Sequence, residues 1–182
     1  MSSVPFHYVD LRTFCYATED EKRVEQALRT FLPDEFEVER VVNEGHHGDR
    51  IVVLSARVEN ADDVRHVLSV IAGLPPLDRV VDELDERVDA NNSLFLRLDK
   101  QAAFKGDVRL GPGITLRGKV EAYPAKHEAA VENARETFAE LAGAADAGAD
   151  GAADAEVDAD DAADADADRA EGEATDGGRS AG

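Results

Sequence analysis

The sequence predicts an α+β domain: an antiparallel sheet with helices packed on one face, in the order βαββααββα, followed by a disordered acidic tail. Three observations carry that prediction. Stretches that alternate apolar and polar residues, as half-buried strands do, interleave with stretches whose apolar residues recur every three or four positions, as on a helix. The strand-like stretches fall in near neighbours joined by turns, which antiparallel pairing permits. Finally, the composition changes abruptly at Ala142, after which one Val157 is the only large apolar residue.

Each element has its own signal. Phe6 to Tyr16 (FHYVDLRTFCY) is rich in aromatic and β-favouring residues and alternates as a strand. One face carries His7, Val9, Leu11, Thr13 and Cys15; the other carries Phe6, Tyr8, Asp10, Arg12, Phe14 and Tyr16. Four aromatics around an arginine suit base stacking, but an aromatic face more commonly forms core, so the expectation is that it packs under the helices and the smaller face is open. Thr18-Glu19-Asp20-Glu21 reads as a capping box, and Val24, Ala27, Leu28 and Phe31 line a helix that Pro33 ends. Phe36 to Asn43 and Arg50 to Glu59 form a hairpin around Glu44 to Asp49. Asn60 caps the next helix, with Val64, Val67, Leu68 and Ile71 inward. Leu77, Val80, Val81, Leu84 and Val88 define another, closed by Asn91 and Asn92. Leu94, Leu96 and Leu98 alternate with Phe95, Arg97 and Asp99. Ile114, Leu116, Val120 and Ala122 alternate with Thr115, Arg117, Lys119 and Glu121. Asp99 to Asp107 between these strands is a short helical turn ended by Gly106. His127 to Leu141 is the last helix.

Charge divides the chain. It has 182 residues and a net charge of −20. Residues 142–182 contain 13 acids and two arginines, a net of −11, which leaves 27 acids and 18 bases, a net of −9, for residues 1–141. Such a tail cannot bury enough apolar surface to offset its ordering entropy, so one folded domain of residues 1–141 is expected ahead of it. Lysine stands at only five positions (22, 100, 105, 119 and 126). Abundant acid with scarce lysine is the halophilic pattern of a cytoplasm rich in salt. At molar salt the Debye length is about 3 Å, so a negative surface does not repel RNA at a distance and binding relies on close contact.

Against this background one segment turns basic. Between Arg97 and Lys119 stand six basic residues (Arg97, Lys100, Lys105, Arg109, Arg117, Lys119) and two acidic ones (Asp99, Asp107), a net of +4. Arg97, Arg117 and Lys119 fall on the outward face of adjacent strands, with Lys100, Gln101 and Lys105 on the connecting segment. The candidate RNA surface is Arg97, Lys100, Gln101, Lys105, Arg109, Arg117 and Lys119, with Arg12 as a flank. Arginine binds phosphate in a forked geometry and stacks on bases. Shape and backbone recognition are expected rather than base readout.

Catalytic signatures do not appear. There is no P-loop, dinucleotide fingerprint, nucleophile elbow or H-E-x-x-H motif, and the carboxylates sort into no pair. His46-His47 beside Asp49 reads as a solvated hairpin tip, and no metal or cofactor is expected. Cys15 is the one cysteine, which excludes an intrachain disulfide. No apolar run reaches the ~20 residues of a membrane span, and a cytoplasmic protein is expected.

Residues 6–20 (FHYVDLRTFCYATED) and 95–107 (FLRLDKQAAFKGD) together resemble the archaeal RNA-binding proteins described as exosome-associated subunits. Those resemble the α+β fold of the large-subunit ribosomal protein that contacts 5S RNA. The resemblance spans about residues 4–141. It implies a non-catalytic RNA-binding role in RNA processing or degradation, with RNA and exosome subunits as partners. The second reading of the sequence is an interaction module or homodimer without direct RNA contact.

Overall fold

The computed structural model describes residues 4–150. Its elements are β1 (Phe6–Cys15), α1 (Glu21–Arg29), β2 (Glu39–Glu44), β3 (Arg50–Val58), α2 (Ala61–Ala72), α3 (Leu77–Asp82), α4 (Leu84–Arg87), β4 (Ser93–Asp99), α5 (Lys100–Phe104), β5 (Gly113–Val120) and α6 (His127–Asp150). The five strands form one antiparallel sheet in the order β2-β3-β1-β5-β4. The predicted α+β class and its helices on one face are therefore observed. Leu11, Leu54, Leu96, Ile114 and Leu116 of the sheet are wholly buried, as are Leu28, Phe31, Leu68, Ile71 and Phe138 on the helical side. Burial on that scale, at about 1.5–3 kcal/mol per large apolar side chain, is what holds the helices against the sheet.

Local details depart from expectation for physical reasons. The Thr18–Glu21 capping box does not form: Asp20 is the N-cap of α1 and accepts from Arg23 N–H at 3.0 Å. Glu21 instead turns to Arg40 of β2 and Arg50 of β3. Asn60 caps α2 as expected, accepting from the Asp62 and Asp63 N–H groups. The helix predicted over Leu77–Val88 is two short helices, because Glu83 stops the first and starts the second while its carboxylate ties Arg79 to Arg87. Its inward residues Val80, Leu84 and Val88 are nevertheless buried.

At the other end, α6 continues past Leu141 to Asp150. Alanine-rich sequence propagates a docked helix without a new nucleus, so residues 142–150, expected in the tail, extend the helix. The rest of the expected disordered tail, 151–182, lies outside the described residues.

The face of β1 is the main correction. Val9, Leu11, Thr13 and Cys15 are buried, whereas Arg12 and Phe14 are exposed and Tyr8 and Asp10 half-buried. The aromatic face expected beneath the helices is thus the open one. Asp10 and Arg12 share its register, and burying two ionised groups costs several kcal/mol, more than covering Tyr8 and Phe14 would return. Phe6 escapes to the core because the β1–β5 register shifts between Phe6 and Tyr8. Gly118 makes the room, since a Cβ there would stand 2.9 Å from the Phe6 ring.

Candidate nucleic-acid interface

Register assembles the open face row by row. Arg12 of β1 and Arg97 of β4 both lie opposite Thr115 of β5, and Ser55 of β3 and Glu39 of β2 complete that row. The adjoining row is Arg57, Asp10, Arg117 and Phe95. Beyond it, Tyr8 faces Lys119, which faces Ser93. On the other side Phe14 faces Val53, which faces Val41. The surface therefore carries five cations and the acids Asp10 and Glu39, while acids dominate the outer face of α6.

The cations differ in how far they are committed. Arg57 sits over the Tyr8 ring at 3.9 Å and pairs with Glu59 at 2.9 Å and Asp10 at 3.7 Å. Arg117 packs on Phe95 at 5.9 Å and its Nη2 reaches Ser93 Oγ at 3.5 Å, but its buried Nε has no hydrogen-bond partner among the described residues. The Lys119 ammonium donates to the Asn91 carbonyl. Arg12 and Arg97 are exposed and make no ion pair among the described residues. On this face, among the described residues, they are the two cations free to meet an anion.

Arg12 lines a groove of about 510 Å³ together with Asp10, Phe14, Glu39, Arg57, Phe95, Thr115 and Arg117 among others, and Arg97 is not part of it. Phe14 and Thr115 also line a second depression, of about 430 Å³, that extends past Tyr16 and Gln101 to Arg97 and Pro112. Phe14 and Phe95 are each 39% exposed and Tyr16 is 52% exposed. Phe14 and Tyr16 stack on each other with centroids 6.5 Å apart.

The connecting segment is built differently from its sequence reading. Lys100 turns inward: it is 9% exposed, and its ammonium bonds Glu19 at 2.7 Å and the Phe14 carbonyl at 3.0 Å. Asp99 caps α5 by accepting from Ala102 N–H at 2.8 Å. Residues Arg109 to Gly111 run along the outer edge of β4, where Asp99 N–H donates to the Arg109 carbonyl and Gly111 N–H to the Arg97 carbonyl. Gly113, at φ +123°, brings the chain so near α5 that a Cβ would lie 2.5 Å from Lys100 Cβ. Hence Arg12, Arg97, Arg117 and Lys119 share one face, with Gln101 at its rim. Lys105, at the C-cap of α5, and Arg109, beside the β4 edge, are exposed but line neither groove.

Electrostatics follow these contacts. Burial would raise the Glu19 carboxyl, but the hydrogen bonds from Lys100 and from Tyr16 N–H outweigh it and the net shift is downward. Cys15 is pushed up, first by burial and then by nearby Glu19 and Glu21, which makes it a poor nucleophile.

Three members of the face, Tyr8, Phe14 and Phe95, are absent from the candidate set drawn from charge alone, as is Arg57. Their signal was in the alternation: Asp10 and Arg12 share a register with Tyr8 and Phe14, so wherever those charges meet water the rings do too.

Comparison with known proteins bears on the same segment. A family model described as RNA binding matches residues 8–120, which span the sheet from Tyr8 to Val120 and include all the open-face residues named above. A protein of Pyrococcus abyssi named RNA-binding protein PAB1135 is 36% identical over 141 residues, covering 71% of this chain and 92% of that one. Among solved structures, Mth689, a DUF54 protein from Methanothermobacter thermautotrophicus, is 41% identical with a TM-score of 0.61, covering 73% of this chain and 98% of that one. Protein AF2318 from Archaeglobus fulgidus is 28% identical with a TM-score of 0.66, covering 72% and 99%.

Proposed function

This chain belongs to the RNA-binding family whose model spans its sheet, and on that premise we propose that it is a non-catalytic protein that holds RNA on the open face of that sheet. The observation that carries the reading is the row Arg12–Thr115–Arg97, two guanidiniums without an ion pair among the described residues, each lining one of two depressions that share Phe14 and Thr115, in an otherwise acidic protein. Guanidinium forks match phosphate oxygens, and their hydrogen bonds persist where salt screens simple charge. Arg117 and Lys119 are already engaged by the protein, so they shape the groove more than they recruit the ligand. A place in RNA processing or degradation beside the exosome, in the cytoplasm, extends the same reading and rests on the resemblance of residues 6–20 and 95–107.

The test is RNA binding by the parent and by an Arg12→Ala, Arg97→Ala variant in potassium-rich buffer. Loss of about tenfold or more is expected from removing two charge-assisted contacts of ~1.5–3 kcal/mol each, discounted for solvent. Equal affinities would remove this face from consideration.

One observation favours a second reading, of assembly rather than RNA contact. Edge strand β2 is exposed along its whole length, with Val41 and Val42 about half exposed at 44% and 50%. Open edges of this kind accept another strand. A stable dimer by size-exclusion mass after nuclease treatment, with no measurable RNA affinity, would favour it.

A further inference from the structure

Resting on the open face as the RNA surface, we propose that the RNA bound there is single-stranded and that its bases stack on Phe14 and Phe95. Both rings leave more than a third of their surface in water although they lie beside a large apolar core on the other side of the same strands. Neither ring is needed to close the fold.

Their placement relative to the arginines gives the pattern. Arg12 and Arg97 stand in one row, about 10 Å apart across β5. Phe14 lies two residues beyond that row on β1, and Phe95 lies two residues to the opposite side on β4. The rings are therefore diagonal to each other, about 17 Å apart from strand spacing and rise, with the arginine pair between them. That distance far exceeds the ~3.4 Å per-strand rise of stacked bases in a duplex. A single strand touching both rings covers about five such steps if its bases stay stacked, or fewer nucleotides if they splay, and its phosphates pass the arginine pair between the rings. Ring, arginine pair, ring is thus an order that a single strand can follow.

A duplex cannot use it. Its bases face one another inside the helix, and an A-form duplex presents phosphates and 2′-hydroxyls to a protein, for which a phenyl face offers nothing. Tyr8, by contrast, is no platform, because the Arg57 guanidinium lies against its ring at 3.9 Å, whereas Arg117 stands off the Phe95 ring at 5.9 Å. Stacking also tolerates any base, so sequence preference should be weak.

The experiment compares an unstructured RNA oligonucleotide with a duplex of the same sequence, for the parent and for Phe14→Leu, Phe95→Leu and the Arg12→Ala, Arg97→Ala variant. The parent is expected to prefer the single strand, and each leucine variant to lose about tenfold of that affinity with unchanged duplex binding. Parental affinity in both leucine variants, or tighter binding of the duplex, overturns the stacking proposal. If the arginine variant still loses binding in that case, the face remains the RNA surface and only stacking fails. If it does not, both fail together. Should a leucine variant not fold, 2-aminopurine in the oligonucleotide reports on the parent directly: a rise in fluorescence on binding is expected as the base leaves its neighbours for a ring, and unchanged fluorescence refutes stacking.

Discussion

Replacing Lys100 with Met separates a structural lysine from an RNA-contacting one. The ammonium is held between Glu19, at 2.7 Å, and the Phe14 carbonyl, at 3.0 Å, with the two side chains only 11% and 23% exposed. Methionine keeps the apolar stem but leaves Glu19 with the Tyr16 N–H alone and the Phe14 carbonyl without its donor. Breaking a fully buried pair costs about 3–5 kcal/mol, and the wet quarter of Glu19 reduces this to about 2–3 kcal/mol. Glu19→Gln should cost about 1–2 kcal/mol, since the amide can still accept a bond, and the double variant should reveal a coupling of about 1–2 kcal/mol. Urea unfolding of the four proteins measures the cycle, and RNA titration of the single variants accompanies it. A coupling below about 0.5 kcal/mol, within the additivity of independent sites, would refute the structural assignment. So would a Lys100→Met protein of parental stability that binds RNA more weakly.

The same contact gives a pH dependence. Glu19 has its folded value lowered, so its contribution is complete above the unfolded glutamate value of ~4.3 and is lost as pH falls through the lower folded value. Melting temperature should therefore fall less steeply with acid in Lys100→Met than in the parent. Gly113→Ala should destabilise by about 2 kcal/mol or more, because φ +123° is strained for alanine and its Cβ would strike Lys100; urea midpoints check this. Asn60→Ala should remove about 1 kcal/mol by leaving the first N–H groups of α2 uncapped. Finally, two phosphate contacts on a single strand imply a log–log dependence of affinity on KCl with slope about −1.4, halved in Arg97→Ala. A slope steeper than about −3 would mean that cations beyond Arg12 and Arg97 carry the binding.

How much of this was legible in the sequence depends on the kind of signal. Periodicity found the strands and helices because it reports burial: Val64, Val67, Leu68 and Ile71 of α2, Leu94, Leu96 and Leu98 of β4, and Ile114, Leu116 and Val120 of β5 are buried as their spacing predicts, whereas Ala122 lies past the end of β5. It could not decide which face of β1 was open, since both sets of residues are partly apolar. The deciding quantity was the cost of burying Asp10 and Arg12, which aromatic content had masked. Charge counting placed Lys100 beside Arg97 as equivalents. Only the tertiary meeting of β1, α1 and α5 shows that one of them is consumed inside the fold. Glu83 is a third case: helical spacing across Leu77–Val88 was correct for packing, yet a local carboxylate clamp divided the helix.

The acidity of the chain and the proposed RNA face are compatible because charge is segregated rather than averaged. Glu128, Glu132, Glu136 and Glu140 crowd the outer surface of α6, and Asp62 and Asp63 open α2, on the side of the sheet away from Arg12 and Arg97. Several arginines elsewhere are tied to acids: Arg40 and Arg50 to Glu21, and Arg79 and Arg87 to Glu83. A guanidinium already paired has little to gain from a phosphate, so net charge overstates the repulsion and a bare count of cations overstates the attraction. What remains on the open face among the described residues is small: the unpaired Arg12 and Arg97 and the open rings of Phe14 and Phe95. Long-range steering from so few charges is weak, but forked hydrogen bonds and stacking act only at contact, where added salt weakens them least. A binding face in such a chain is therefore better sought by asking which arginines lack a carboxylate and which aromatics lack a helix than by summing charge.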